Sequence, residues 1–282
     1  MKKFAISIAG IVLLIGSSAL AADMAVKAPP APAAAPYSWT GLYLGGNLGF
    51  GWSRQSVDFS TNDPAAGAAS LIATSGGIGA PISLDGVGPA IGLQLGYNWQ
   101  VSQSWLIGFE TDFDISGISR NGTSTTLFPF AVPPPFFQST ADQSLEWFGT
   151  VRGRVGYLAA NNLSVYGTGG FAYGRTAQHA SYINQSGTTF TGSNGQCNGL
   201  SVCYFGASHR IATGWSAGGG LEYVLSDHWT IKGEYLYVRL SGNTVTENII
   251  PAGGFPVNTS TINANFHDLT VNIVRAGVNY KF

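Results

Sequence analysis

The feature that most constrains this chain is a strict two-residue alternation that recurs in eight separate segments after Trp39. In the last of them, read backwards from the end, Phe282, Tyr280, Val278, Ala276 and Val274 alternate with Lys281, Asn279, Gly277 and Arg275. A period of two is the strand period, because successive side chains point to opposite faces of a sheet. The other segments repeat the pattern. Leu42, Leu44, Leu48, Phe50 and Trp52 share a face, as do Ile91, Leu93, Leu95, Tyr97 and Trp99. Phe109, Thr111, Phe113 and Ile115 oppose Glu110, Asp112 and Asp114, and Leu145, Trp147, Val151, Val155 and Tyr157 oppose Glu146, Arg152 and Arg154. Val165, Phe171 and Tyr173 follow, then Trp215, Leu221, Tyr223 and Leu225 against Glu222, and Trp229, Ile231, Tyr235 and Tyr237 against Lys232 and Glu234.

The connections alternate in length. "QVSQS", "LAANN" and "SDH" join segments two to three, four to five and six to seven. The remaining connections run to about 25–35 residues, longer than a compact soluble domain normally tolerates. Short turns at one end and long loops at the other are the up-and-down plan of a transmembrane barrel. The expected fold is therefore all-β: an eight-stranded antiparallel up-and-down transmembrane β-barrel with four long extracellular loops and both mature termini periplasmic.

Which face looks outward follows from size. Eight closed strands leave a lumen just wide enough for side chains. Gly, Asn and charged residues suit that lumen, and the bulky face suits lipid. Aromatics near segment ends (Trp52, Tyr97, Trp99, Trp105, Trp147, Tyr157, Trp229, Tyr280 and Phe282) form the two interfacial girdles. Only 10% of the residues are charged, against about a quarter in a soluble domain. The 13 basic and 14 acidic side chains nearly balance and form no basic patch, so no nucleic-acid partner is expected.

The chain opens with Lys2 and Lys3, an apolar stretch from Phe4 to Ile15 and Ala19-Leu20-Ala21, which fits a cleaved export signal over 1–21. Residues 22–38 contain "VKAPPAPAAAP", expected as a periplasmic Pro/Ala-rich linker, and the barrel is expected over 39–282. Export favours a disulfide between Cys197 and Cys203 over a metal site, which would need more ligands.

The candidate lumen residues are Glu110, Asp112, Asp114, Glu146, Arg152, Arg154, Glu222, Lys232, Glu234 and Arg275, with Lys281 at the rim. Mixed signs predict a mutually neutralising network; the competing reading is a narrow ion path. Glu110, Asp112 and Asp114 fall about 7 Å apart on one face, as paired catalytic carboxylates would, but Arg152 and Arg154 on the next strand give them a plainer role. His179, His209, His228 and His267 are expected as solvated loop or turn residues; a haem-like or metal-binding loop site would draw on them. "GGNLGFG" and "GTGGFAYG" lie in strands with no helix following, so they are not dinucleotide fingerprints. "FPFAVPPPFF" is read as an apolar loop tip packing on the barrel mouth.

The start "AADMAVKAPPAPAAAPYSWTGLYLGGNLGFGW", the end "TVNIVRAGVNYKF" and the internal "GTVRGRVGY", "LSVYGTGGFAYG" and "WTIKGEYLYV" resemble the porin-family outer-membrane β-barrels of alphaproteobacteria, small surface-antigen proteins related to OmpA/OmpX-type barrels. The resemblance spans nearly the whole mature chain apart from the loops. It implies that Val278, Tyr280 and Phe282 form a C-terminal assembly signal for the barrel-assembly machinery. It further implies outer-membrane lipid and lipopolysaccharide as partners. The expected function is structural: envelope integrity and display of surface loops that could meet an unknown ligand. No enzymatic activity and no cofactor are expected. The alternatives are a narrow pore or small-ligand (haem-like) uptake protein, an outer-membrane lipid-modifying enzyme, and a soluble lipocalin-like carrier.

Overall fold

The computed structural model describes residues 37–62, 78–127, 136–185, 201–250 and 261–282. Alternation becomes strand wherever it was read. The strands are β1 (Gly41–Asn62), β2 (Ile82–Gln100), β3 (Trp105–Leu127), β4 (Phe136–Ala160), β5 (Leu163–Asn184), β6 (Ser201–Val224), β7 (Trp229–Leu240), β8 (Asn243–Ile249), β9 (Thr261–Phe266) and β10 (Leu269–Lys281). Strands β1 to β7 pair antiparallel in chain order, β7 pairs with β10, and β10 closes on β1 from Tyr43↔Lys281 to Arg54↔Thr270. A ring of eight strands results. Beyond a break at residues 241–242 and 267–268, β8 and β9 continue the lines of β7 and β10, β8 pairing with β6 and β9 with β1. No strand edge is left open in the ring, as a hydrocarbon surround requires.

The apolar face points out. Leu93 is 67% exposed and Ile115 63%, while Glu110 and Arg152 are each 1% exposed. A chain that shows its leucines and hides its arginines is built for lipid outside.

Much of what the sequence reads as outer loop is strand. β4 has 25 residues, whereas a tilted spanning strand needs about 9–11. The lipid-facing apolar positions of β1 stop at Trp52, and Arg54 follows them outward. Beyond that level the polarity inverts: Val57, Ile82, Leu84, Ala141, Ala180, Val245, Ala264 and Phe266 point inward and pack together. The upper wall is thus an ordinary water-facing barrel, apolar inside and polar outside, standing on a membrane barrel of opposite polarity. The loop tips between these extended strands lie outside the described residues.

At the turn end the chain plugs its own mouth. Trp39 is buried with Leu106 and Leu158, with Tyr37 edge-on to it at 5.2 Å. Its indole N–H donates to the Asn161 carbonyl at 3.3 Å. The expected signal segment and the linker up to residue 36 lie outside the described residues.

Candidate functional site

The interior is stratified, and the layer above the Trp39 plug carries the charge. Arg152 on β4 donates from Nη2 to Glu110 (2.6 Å) and Asp112 (2.8 Å), and from Nη1 to Glu234 (2.6 Å) and Thr168 (2.9 Å). Arg275 on β10 reaches Glu234 at 2.7 Å, Asp112 at 2.7 Å and Asp114 at 3.3 Å. Lys232 donates to both Glu110 oxygens at 2.8 Å, and the Tyr43 hydroxyl donates to Oε2 at 2.7 Å. Arg154 pairs with Glu222, which also accepts from Thr230 (2.6 Å) and Asn279 (2.8 Å). The Arg154 guanidinium lies 3.8 Å over the Tyr166 ring.

Register explains how so many large groups fit. Arg152 stands opposite Gly170, Glu110 opposite Gly96, Arg275 opposite Gly49 and Glu234 opposite Gly220. A glycine beside each long side chain leaves the room that an eight-stranded lumen otherwise lacks.

Nine of the ten sequence-named lumen residues come together in this layer. Glu146 does not. Strand β4 bulges between Leu145 and Trp147 against β5, and β3 is irregular between Ile115 and Ile118 against β4. The extra residue shifts the alternation. Leu145, expected to face lipid, is 1% exposed inside, and Glu146 faces outward, 2.9 Å from Arg175 and 4.0 Å from His209. A bulge of this kind leaves no compositional trace, so a strict period of two carries straight through it.

Above the charges lies a layer that the sequence reading did not anticipate. Ala90, Ile118, Leu145, Phe148, Ala172, Ala212, Leu236, Val238, Leu240, Leu269, Val271 and Ile273 pack across the lumen. Its signal was present: in "EYLYVRL" both phases of the alternation are apolar, and Leu269, Val271 and Ile273 run out of phase with Val274 to Phe282. A polar layer with Arg120, Gln143 and Gln178 follows, then the upper apolar cluster, then Phe137, Tyr182, Cys203, Tyr204, Ile249 and Ile262. Phe137, from the apolar "FPFAVPPPFF" stretch, stacks on Tyr182 at 5.1 Å; residues 128–135 lie outside the described residues. A concavity of about 1060 Å³ lies on the apolar outside between Gly46, Leu48, Gly233 and Val278, where hydrocarbon would fill it.

Cys203 is disulfide-bonded and buried; Cys197 lies outside the described residues. The histidines are dispersed on outward or turn positions. His179 lies 5.7 Å from His209, His228 stacks on Tyr280 at 5.5 Å, and His267 meets Asp58 at 2.6 Å. Asp268 is separate from that pair: the Gly242 N–H, and after it the Arg239 guanidinium, hold its carboxyl below the ordinary range. Among the described residues, no three His, Cys, Asp or Glu side chains are arranged to hold a metal ion. Val278 and Tyr280 lie on the final strand and Phe282 follows its last residue, with the Tyr280 and Phe282 rings 5.2 Å apart and Phe282 68% exposed.

The family that the chain matches is one of outer-membrane barrels. Residues 18–282 match the outer membrane protein beta-barrel domain family. The chain is 34% identical over 285 residues to a 31 kDa outer-membrane immunogenic protein of Brucella melitensis, covering 98% of each chain. It is 28% identical over 220 residues to a 22 kDa outer membrane protein of Rhizobium leguminosarum, covering 76% of this chain and 68% of that one. Among solved structures, OprG of Pseudomonas aeruginosa aligns with a TM-score of 0.40 at 15% identity, over 88% of this chain and 98% of that one. The chain belongs to the outer membrane protein β-barrel family, and its place is the outer membrane of the cell.

Proposed function

We propose that this protein is a sealed structural barrel that supports the envelope and carries a rigid pillar of strands to the cell surface, where its loops are displayed. The observation that carries this reading is the layered interior. Ions crossing the barrel would have to pass the Trp39 plug, a buried network of paired charges and three stacked apolar clusters. Apolar packing at protein density leaves no wet column for an ion. The pore reading is disfavoured for that reason. In planar bilayers the purified barrel is expected to show no discrete conductance steps above baseline; stable unitary steps would sink the proposal.

The protein is read as performing no catalysis. The carboxylates that could have formed an acid–base pair are held in ion pairs by Arg152, Arg275 and Lys232, which leaves them poorly suited to act as a general base. The matched Brucella proteins are named immunogenic, which fits surface display. Partners follow from the outer surface. The apolar band and its aromatic rims suit outer-membrane lipid and lipopolysaccharide, and the exposed Phe282 suits capture by the barrel-assembly machinery. Deleting Phe282 is expected to lower the folded, heat-modifiable fraction in outer membranes several-fold while leaving synthesis unchanged. An undiminished folded yield would remove the assembly-signal role.

A further inference from the structure

The polar layer between the two apolar clusters has a charge problem. Arg120 on β3, Gln143 on β4 and Gln178 on β5 are consecutive in register and all face inward. Arg120 is 6% exposed and Gln143 2%. Ile118 and Leu145 pack below them, and Leu84 and Ala141 above. Arg120 spends one donor on the Leu84 carbonyl, Nη1 to O at 3.3 Å. Its Nε and Nη2 have no acceptor, and neither has Nε2 of Gln143.

The side-chain amides of this layer are oriented in one direction. Asn243 Nδ2 donates to Gln178 Oε1 at 3.2 Å, and Gln178 Nε2 donates to Gln143 Oε1 at 3.4 Å. Both glutamine carbonyls are engaged, so the chain ends in the N–H groups of Gln143, next in register to Arg120. Donors meet donors, and the missing partner must be an acceptor. Reversing the Gln143 amide would supply one hydrogen bond but would not neutralise the guanidinium, which stays charged at any pH of interest. Burial draws Arg120 down only to about 10, against the pull of Asp85. Asp85 itself is on the outer face, beside Arg54. Among the described residues Arg120 makes no ion pair: the inward carboxylates are Glu110, Asp112, Asp114, Glu222 and Glu234 in the charge layer, and Glu247 further up. A water could fill the geometry but not the charge, and an uncompensated buried charge is among the costliest features a fold can carry.

We propose that the extracellular half of the barrel encloses a small monovalent anion of chloride size, bound by Nε and Nη2 of Arg120 and Nε2 of Gln143. The site lies above the membrane and is independent of the functional reading. It gives the upper barrel a counter-charge that the chain does not encode, trapped as the strands close around it.

Bromide is the probe. The full-length protein, folded in detergent and crystallised from sodium bromide, should show an anomalous peak within hydrogen-bonding distance of the Arg120 guanidinium. At constant ionic strength, its unfolding midpoint should be higher in chloride or bromide than in gluconate, which is too large to enter. In Arg120→Met that anion dependence should vanish, and the variant should be the more stable of the two in gluconate only. A water-sized peak without anomalous signal, or a midpoint indifferent to the anion, overturns the proposal. The diffraction experiment needs only the wild-type chain, so it decides even if Arg120→Met fails to fold.

Discussion

Replacing Arg152 by methionine is expected to cost the barrel about 3–5 kcal/mol of unfolding free energy, because it strands carboxylates inside the lumen. Arg152 touches Glu110, Asp112 and Glu234 at 2.6–2.8 Å, and each of these side chains is at most 1% exposed. Arg275 and Lys232 would still hold the three acids, but the layer's excess of negative charge would rise by one with no water to screen it. Arg152→Lys should recover only part of the loss, since an ammonium cannot present the planar fork that spans Glu110 and Glu234 at once. The contrast is Glu146→Gln. Its partner Arg175 is 49% exposed and Glu146 itself 38%, so a change within about 1 kcal/mol is expected. Denaturant titration of the refolded protein in micelles, followed by the gel shift on heating, measures both. A loss below about 1 kcal/mol at Arg152 would mean that water reaches this layer.

The same layer shows how far the sequence alone carries. Glu110, Arg152, Lys232, Glu234 and Arg275 could be placed inward because alternation in the lower half of each strand is uninterrupted and its apolar phase is crowded with bulky groups. That reasoning assumed one solvent arrangement from end to end. In β1 the apolar phase is Leu42 to Trp52 and then becomes Val57 and Phe59; in the last strand line it is Ile262 to Ile273 inward and then Val274 to Val278 outward. Each switch marks the level where the surround changes from hydrocarbon to water. Below it a sheet must show apolar groups outside, and above it the ordinary soluble pattern returns. A reading that tracks the phase, as well as the period, would have shown both the extended upper barrel and the apolar layers that seal it. The bulge that turns Glu146 outward is different. It depends on how β4 registers against β5, and nothing in "SLEWFG" announces it. The Arg120 layer was equally silent, because its polar residues look like loop residues until the strands are known to continue through them.

Glu247 provides the other large effect, and its sign depends on pH. It sits on β8, wholly buried beside the uppermost apolar cluster, and neither carboxyl oxygen has a hydrogen-bond partner. Burial raises its carboxyl to about 8. The Tyr182 hydroxyl interacts with it electrostatically and is itself raised above its ordinary value, chiefly by burial, so it stays neutral below pH 8. In the unfolded chain Glu247 loses its proton near pH 4.3. Between that value and about 8 the folded state binds the extra proton, so stability falls as pH rises, by about 1.4 kcal/mol per unit from this group. Below the ordinary carboxylate range its contribution is complete, and above about 8 it is gone. Glu247→Gln keeps the shape and removes the titration. The variant should match the wild type near pH 4.5 and exceed it by about 3–4 kcal/mol at pH 7.5, with the difference growing steadily between. Unfolding free energies of the two proteins at matched pH values read this directly, since every other titrating group cancels in the difference. A difference that stays flat with pH would mean that the carboxyl is ionised in the folded barrel and therefore has a partner cation or water. A difference of the opposite sign would mean that the charged carboxylate stabilises the upper barrel, and that the apolar cluster around it is not the seal argued for here.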